Sequence, residues 1–162
     1  PINFSLEDKP LGTCGPISLL KEKLKDEPFM LMNGDILTNA DFSSIYNFSL
    51  ELKSELLVVT KKIYTPFNFG KVIKEGDYIT DIKEKPDFEI EIISGIYVMN
   101  PSIFKHIPED KYFGIDDLIN KLLTRNKKVG RYLMKEYWLD IGSLEDYDQA
   151  QKVYEEYFSD NN

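Results

Sequence analysis

The chain has 162 residues, a formal charge of −8, one cysteine and one histidine. That length fits a single domain over residues 1–162, with a core that needs no disulfide or metal staple, and lone Cys14 and His106 exclude an intrachain disulfide, a cysteine-rich zinc site and a paired-histidine metal site. The acidic balance, with cations dispersed among acids, argues against a nucleic-acid surface, which needs clustered Lys and Arg.

In chain order, Cys14 sits in a Gly-flanked loop and reads as a small packed residue. Gly15-Pro16 then opens an expected helix to about Lys25, with Ile17, Leu20 and Leu24 on one face. A strand is expected from Phe29 to Asn33, and Asp41 caps a helix with Phe42, Ile45 and Leu52 on one stripe. Leu56 to Thr60 is a β-rich run, so this region has β-α-β order and predicts parallel strands. Gly70 to Lys74 and Tyr78 to Ile82 flank a Gly-Asp turn and predict a hairpin. Ile92 to Met99 is apolar almost throughout and predicts a central strand. Pro101 to His106 and Gly114 to Thr124 read as helices, with His106 at a helix end and Leu118, Ile119, Leu122 and Leu123 as the buried face of the second. Val129 to Met134 returns as a strand. Ser143 and Asp146 form a capping-box pattern before a last helix whose Tyr147, Ala150, Tyr154 and Phe158 lie at helical spacing, a stripe suited to a core or an interface. The expected fold is a three-layer α/β domain, Rossmann-like, with a mixed, mainly parallel central sheet and helices on both faces.

No charged-apolar-small leader opens the chain, and its apolar runs fall short of the ~20 residues that a membrane span requires. No membrane partner is expected and the cytoplasm is the default location. Pro1 stands where a Met would begin a whole protein, which predicts a processed or partial chain.

The chemistry concentrates in two strings, Met32-Asn33-Gly34-Asp35 and Tyr137-Trp138-Leu139-Asp140-Ile141-Gly142-Ser143. Each places a carboxylate where an apolar segment gives way to a Gly-containing turn, the position at which open α/β sheets present groups to a ligand. Brought together, Asp35 and Asp140 would hold a divalent cation; magnesium suits them, since it keeps one or two carboxylates and fills its remaining positions with water and phosphate oxygens. Either Asp alone is more often a turn former or a cap. Trp138 is open between stacking near a substrate and forming a buried wall that fixes the Asp140 backbone. Asn33 either orients Asp35 or caps its turn.

These strings occur in series with others. Pro10-Leu11-Gly12-Thr13-Cys14-Gly15-Pro16, Phe29 to Asp35, Phe69-Gly70-Lys71-Val72, Glu84-Lys85-Pro86, Ser94-Gly95-Ile96-Tyr97-Val98 and Tyr137 to Gly142 stand in the order found in sugar-1-phosphate nucleotidyltransferases. The chain resembles the branch containing mannose-1-phosphate and glucosamine-1-phosphate guanylyltransferases. The resemblance implies attack by a sugar 1-phosphate on the α-phosphate of a nucleoside triphosphate, GTP favoured, with release of pyrophosphate. It implies magnesium held by Asp35 and Asp140, the sugar phosphate met by Lys85, and sugar hydroxyls received by Glu84. It also implies backbone approach to the base at Gly12 and Thr13, and to the sugar at Gly70 and Gly95. Taken singly, the same residues are ordinary turn glycines and an exposed Glu-Lys pair before a Pro-fixed turn.

One family feature has no counterpart. Members open with a Gly-rich loop containing Arg, followed by Lys, that cradles the triphosphate, whereas the nine glycines here are scattered. The resemblance thus covers the family's central and C-terminal parts. It predicts a fragment inactive alone or a chain acting beside a separate N-terminal segment; the other class is a noncatalytic sugar-phosphate or nucleotide-binding module. An open sheet edge in such a chain predicts self-association as a homo-oligomer or poor solubility. A glycosyltransferase is the weakest reading, because the Asp-x-Asp string Asp146-Tyr147-Asp148 falls inside the expected last helix.

Overall fold

The computed structural model describes residues 2–158, apart from the side chains of Glu155 and Tyr157. Its strands are β1 (Phe29–Met32), β2 (Ile36–Thr38), β3 (Leu56–Pro66), β4 (Lys71–Glu75), β5 (Tyr78–Lys83), β6 (Asp87–Met99), β7 (Val129–Met134) and β8 (Trp138–Asp140). The α-helices are α1 (Phe42–Leu52), α2 (Ile115–Thr124) and α3 (Leu144–Tyr157), with 3-10 helices at Gly15–Leu20 and Pro101–Lys105. No helix among the described residues is long and apolar enough to cross a membrane.

The main sheet has the order β1-β6-β3-β7. β6 is antiparallel to both β1 and β3, and only the β3–β7 ladder is parallel. The sheet is therefore mixed and mostly antiparallel, which corrects the mainly parallel sheet expected from the β-α-β order. Since β1 and β3 both oppose β6, they do run in the same direction, but β6 lies between them. Residues Ile96 to Met99 are buried on both faces, and a strand with no polar face takes the interior position.

Alternation builds two cores. Leu56, Val58, Tyr97 and Met99 face one layer with Ile103, Leu118 and Leu122, whereas Leu57, Val59, Ile96 and Val98 face the other with Ile45 and Met134. Helices thus cover both faces of the sheet, as expected. Each large side chain fully removed from water contributes roughly 1.5–3 kcal/mol, so these central strands are the stable base on which the rest is mounted.

Beyond the core, past the end of the β3–β7 ladder at Lys61, β3 and β6 continue as a two-stranded ribbon from Lys62 opposite Glu91 to Pro66 opposite Asp87. The hairpin β4–β5 is a separate small sheet between them in sequence. Several expected helical features are weaker than the sequence suggests. The segment after Gly15 closes as a short 3-10 helix, since Cys14 provides no side-chain cap and the Ser18 hydroxyl donates back to the Gly15 carbonyl at 2.7 Å. Pro101–Lys105 is likewise 3-10, capped by Asn100. Leu123 is 54% exposed, which leaves Leu118 and Leu122 as the buried pair of α2, and on α1 Phe42 and Leu52 are partly exposed while Ile45 is buried. In the α3 stripe Ala150 is buried, but Tyr147 and Tyr154 are more than half exposed.

Cys14 is fully buried, and burial, with Asp117 adding a smaller effect, pushes its thiol up to about 12. It is a packed residue. His106 is buried at the end of the second 3-10 helix, with Nε2 3.0 Å from Glu55 Oε2 and Nδ1 3.2 Å from the Arg125 guanidinium. It ties the start of β3 to the chain after α2.

Candidate functional site

At the other end of the sheet, β1 runs out at Met32 and the Asn33 N–H donates to the Gly95 carbonyl at 2.9 Å. The chain turns through Gly34 and Asp35 and enters β2, which the sequence does not announce as a strand. β2 pairs antiparallel with β8, with Ile36 opposite Asp140, and the Ile141 N–H donates to the Asp35 carbonyl at 2.8 Å. Two aspartates 105 positions apart are thereby brought to one end of a two-stranded ladder.

Asp140 lines a cleft of about 250 Å³ with Asn33, Ser94, Gly95, Ile115 and Trp138. Its carboxyl is held above the usual aspartate range, by partial desolvation first and then by the negative charges of Asp35 and Asp146. A divalent cation would reverse that penalty by supplying the opposite charge. Among the described residues no group of three or more His, Cys, Asp or Glu side chains forms a metal cage. The pair Asp35 and Asp140 fits an ion that draws its other ligands from water and phosphate oxygens, which is the donor chemistry of magnesium.

The cleft wall owes its shape to a bulge. The β3–β6 register shifts between Val58 and Thr60, and Gly95 lies at φ +77°. A Cβ there would stand 3.0 Å from the Asn33 side-chain nitrogen. Beside it, the Ser94 hydroxyl is buried and donates to the Val59 carbonyl at 2.9 Å, and the Trp138 indole N–H donates to the Ser94 carbonyl at 2.8 Å. Ser94 thus spends its side chain on the sheet.

The remaining expected site residues are placed elsewhere. Gly12, at φ +81°, lies where a Cβ would come 2.9 Å from the Phe113 carbonyl oxygen, and the Thr13 hydroxyl accepts from the Ile115 N–H at 3.0 Å. Cys14 and Gly15 both donate their N–H groups to the Phe113 carbonyl. This loop holds the start of α2, and so Ile115, against the cleft. Gly70 and Glu84 are neighbours at the base of the β4–β5 hairpin, 3.2 Å separating the Glu84 carboxylate from a Cβ built on Gly70. Lys85 follows at φ +42° and is exposed. None of Gly70, Glu84 and Lys85 lines the Asp140 cleft. Sequence reasoning missed Ile115 in the cleft and the bond from Trp138 to Ser94; the unusual string of apolar residues on either side of Ser94-Gly95 was the available signal for a bulge.

A sequence profile described as Nucleotidyl transferase matches residues 1–157. The chain is 30% identical over 160 residues to the probable mannose-1-phosphate guanylyltransferase 3 of Arabidopsis thaliana, covering 94% of this chain and 48% of that protein. It is 29% identical over 160 residues to the mannose-1-phosphate guanyltransferase of Debaryomyces hansenii, covering 44% of it. The chain therefore spans about half the length of these relatives. Among solved structures, HddC from Yersinia pseudotuberculosis superposes with a TM-score of 0.66 at 25% identity, over 91% of this chain and 64% of that one. A putative glucose-1-phosphate thymidylyltransferase from Bacillus anthracis gives a TM-score of 0.68 at 22% identity, over 91% and 62% respectively, and shares the fold.

Proposed function

This chain belongs to the nucleotidyl transferase family, and we propose that it supplies the metal-binding and sugar-phosphate part of a sugar-1-phosphate nucleotidyltransferase. The observation that carries the reading is the pairing of β2 with β8, which sets Asp35 and Asp140 at one end of one ladder beside a cleft. In the reaction, an oxygen of the sugar 1-phosphate attacks the α-phosphorus of a nucleoside triphosphate, the bond to the β-phosphate bridging oxygen breaks, and pyrophosphate leaves. Such in-line displacement needs charge neutralisation and alignment more than covalent help from protein.

Within this proposal Asp35 and Asp140 would hold magnesium, which would supply positive charge to offset the phosphate oxygens drawn together there. Gly95 and Asn33 shape the wall against which the sugar rests. Gly12 and Thr13 serve the nucleotide side through the loop they fix. Lys85, for the sugar phosphate, and Glu84 and Gly70, for the sugar itself, sit at the foot of the hairpin, outside the Asp140 cleft. GTP is the favoured triphosphate, consistent with the guanylyltransferase names of the Arabidopsis and Debaryomyces relatives, and mannose 1-phosphate the first sugar phosphate to try. A cytoplasmic location belongs to the same reading.

The 162 residues contain no Gly-rich, Arg- and Lys-bearing triphosphate cradle, so catalysis by these residues alone is expected to be negligible. The test is calorimetric titration of mannose 1-phosphate with magnesium into the chain and into Asp35→Asn and Asp140→Asn, alongside pyrophosphate release with a panel of nucleoside triphosphates. Magnesium-dependent binding lost in both variants is the expected result. Binding unaffected by either substitution overturns the assignment, and robust turnover abolished in Asp140→Asn shows that another group replaces the cradle. Metal-independent binding with no turnover under any supplementation favours the noncatalytic module.

A further inference from the structure

The two aspartates ride on a ladder of three residue pairs that is separate from the main sheet. So short a two-stranded element has little stability of its own, yet a metal pair requires its carboxylates held within a fraction of an ångström. Besides its backbone ladder with β2, β8 and the residues just before it are held by side-chain bonds. The Lys61 ammonium donates to the Lys135 carbonyl at 3.0 Å, and the Asn39 side chain accepts from the Tyr137 N–H at 2.8 Å. These grip the approach to β8. Within β8, the Trp138 indole N–H donates to the Ser94 carbonyl, two residues before Asp140.

That acceptor is unusual. Ser94 sits where the β3–β6 ladder is interrupted, and its own hydroxyl donates to the Val59 carbonyl. The two bonds in sequence, indole N–H to Ser94 carbonyl and Ser94 hydroxyl to Val59 carbonyl, run from β8 across β6 to β3. The Trp138 ring meanwhile packs on the core containing Ile36, Ile45 and Val98. A Phe in its place would keep apolar contact and lose the tether, leaving the Ser94 carbonyl without this donor.

We propose that Trp138 is a positioning residue: its N–H bond to the Ser94 carbonyl locks the β2–β8 ladder to the main sheet and so fixes Asp35 and Asp140 relative to each other and to the cleft. The tether itself stands on geometry alone; its consequence for a metal rests on the function proposed above.

Trp138 is the only tryptophan in the chain, so biosynthetic replacement of tryptophan by 3-benzothienylalanine changes this site alone, exchanging the N–H for sulfur in a ring of nearly the same shape. Trp138→Phe is the companion variant. Amide hydrogen exchange is followed at Ile141, which bonds to Asp35, and at Asn100, which bonds to Glu55 at the far end of the sheet. Mn²⁺, standing in for magnesium, is titrated by electron paramagnetic resonance. The expected result in the analogue is exchange at Ile141 about fivefold to tenfold faster with Asn100 unchanged, and a Mn²⁺ dissociation constant raised about threefold or more. Exchange at Ile141 within about twofold of the parent overturns the tether. Faster exchange with unaltered Mn²⁺ affinity overturns the positioning role and leaves a purely structural bond. If the parent chain binds no Mn²⁺ while Ile141 still exchanges faster in the analogue, the tether stands and the two-carboxylate metal site falls. Should Trp138→Phe fail to fold, the near-isosteric analogue still decides.

Discussion

Gly95→Ala perturbs the cleft wall at the point where backbone conformation and packing both demand glycine. At φ +77° an alanine incurs the left-handed penalty, about 1–2 kcal/mol. The new Cβ also stands 3.0 Å from Asn33 Nδ2 and 3.4 Å from Asn33 Cβ, which displaces that side chain and adds up to about 1 kcal/mol. Reduced freedom of the unfolded chain returns about 0.4–1 kcal/mol. The net expectation is a loss of about 1–2 kcal/mol in urea unfolding. Two other glycines separate the contributions. Gly76, at φ +58° with open space around its Cβ position, carries the strain without the contact, so Gly76→Ala costs at most about 1.5 kcal/mol. Gly34 has open space and is outside the left-handed region, so Gly34→Ala stays within about 0.5 kcal/mol of the parent. Unfolding followed by Trp138 fluorescence reads the cleft directly, because the indole bonds to the residue preceding Gly95. Gly95→Ala as stable as Gly34→Ala would refute the reasoning.

Three further outcomes follow from the charges. Burial opposes ionisation of Glu55, but hydrogen bonds from Lys105, His106 and Lys127 outweigh it and bring its carboxyl from 4.5 to about 2. A folded pKa below the unfolded one gives stability that is fully present above about 4.5 and lost as pH falls towards 2. That displacement corresponds to at most about 3 kcal/mol, and screening at the half-exposed Lys105 and Lys127 reduces it to about 1–2 kcal/mol. Glu55→Gln should therefore lower urea stability at about pH 7 and converge with the parent near pH 2.5; an equal gap at both would contradict the linkage. Asp140 is shifted the other way, so its ionisation costs stability as pH rises through the folded pKa. Asp140→Asn should unfold at higher urea than the metal-free parent at neutral pH, and magnesium should stabilise the parent alone. Finally, Cys14, with its thiol raised to about 12 by burial first, should be alkylated at least about a hundredfold more slowly in the native chain than in urea; rapid labelling of the folded chain would show that the Gly12–Gly15 loop opens.

The local pattern of the fold was legible because it is written in spacing. Val129 to Met134 is a strand with the expected limits, Asp41 and Ser143 cap helices as their positions imply, and the hairpin around Gly76-Asp77 forms where its turn residues place it. Strand order was not legible in the same way. The β-α-β sequence correctly gives β1 and β3 a common direction, but no local signal says that β6, which begins more than twenty residues after the core portion of β3, inserts between them. Only the doubly buried run Ile96 to Met99 hints at it, through apolarity on both faces. Direction is set by connection length and helix packing, whereas neighbour identity is set by which strand has most apolar surface to bury.

The candidate site shows the same division. Asp35 and Asp140 could be named from residue type and turn context, and the ladder between β2 and β8 accounts for their proximity. Those two strands are three residues each, too short for alternation to reveal, and besides their own ladder they are held by side-chain bonds with no sequence period. Ser94 illustrates the cost of reading such a position by residue type alone. A serine beside a sugar site invites a role in sugar selection, yet its hydroxyl is buried and committed to Val59, and its carbonyl receives Trp138. Its contribution to the cleft is therefore made through the backbone of the bulge, and a substitution that removes the hydroxyl acts first on the junction of β3 with β6. Any change in sugar preference at Ser94→Ala should thus appear together with faster amide exchange at Ile141; a specificity change with exchange unaltered would return Ser94 to direct contact with the substrate.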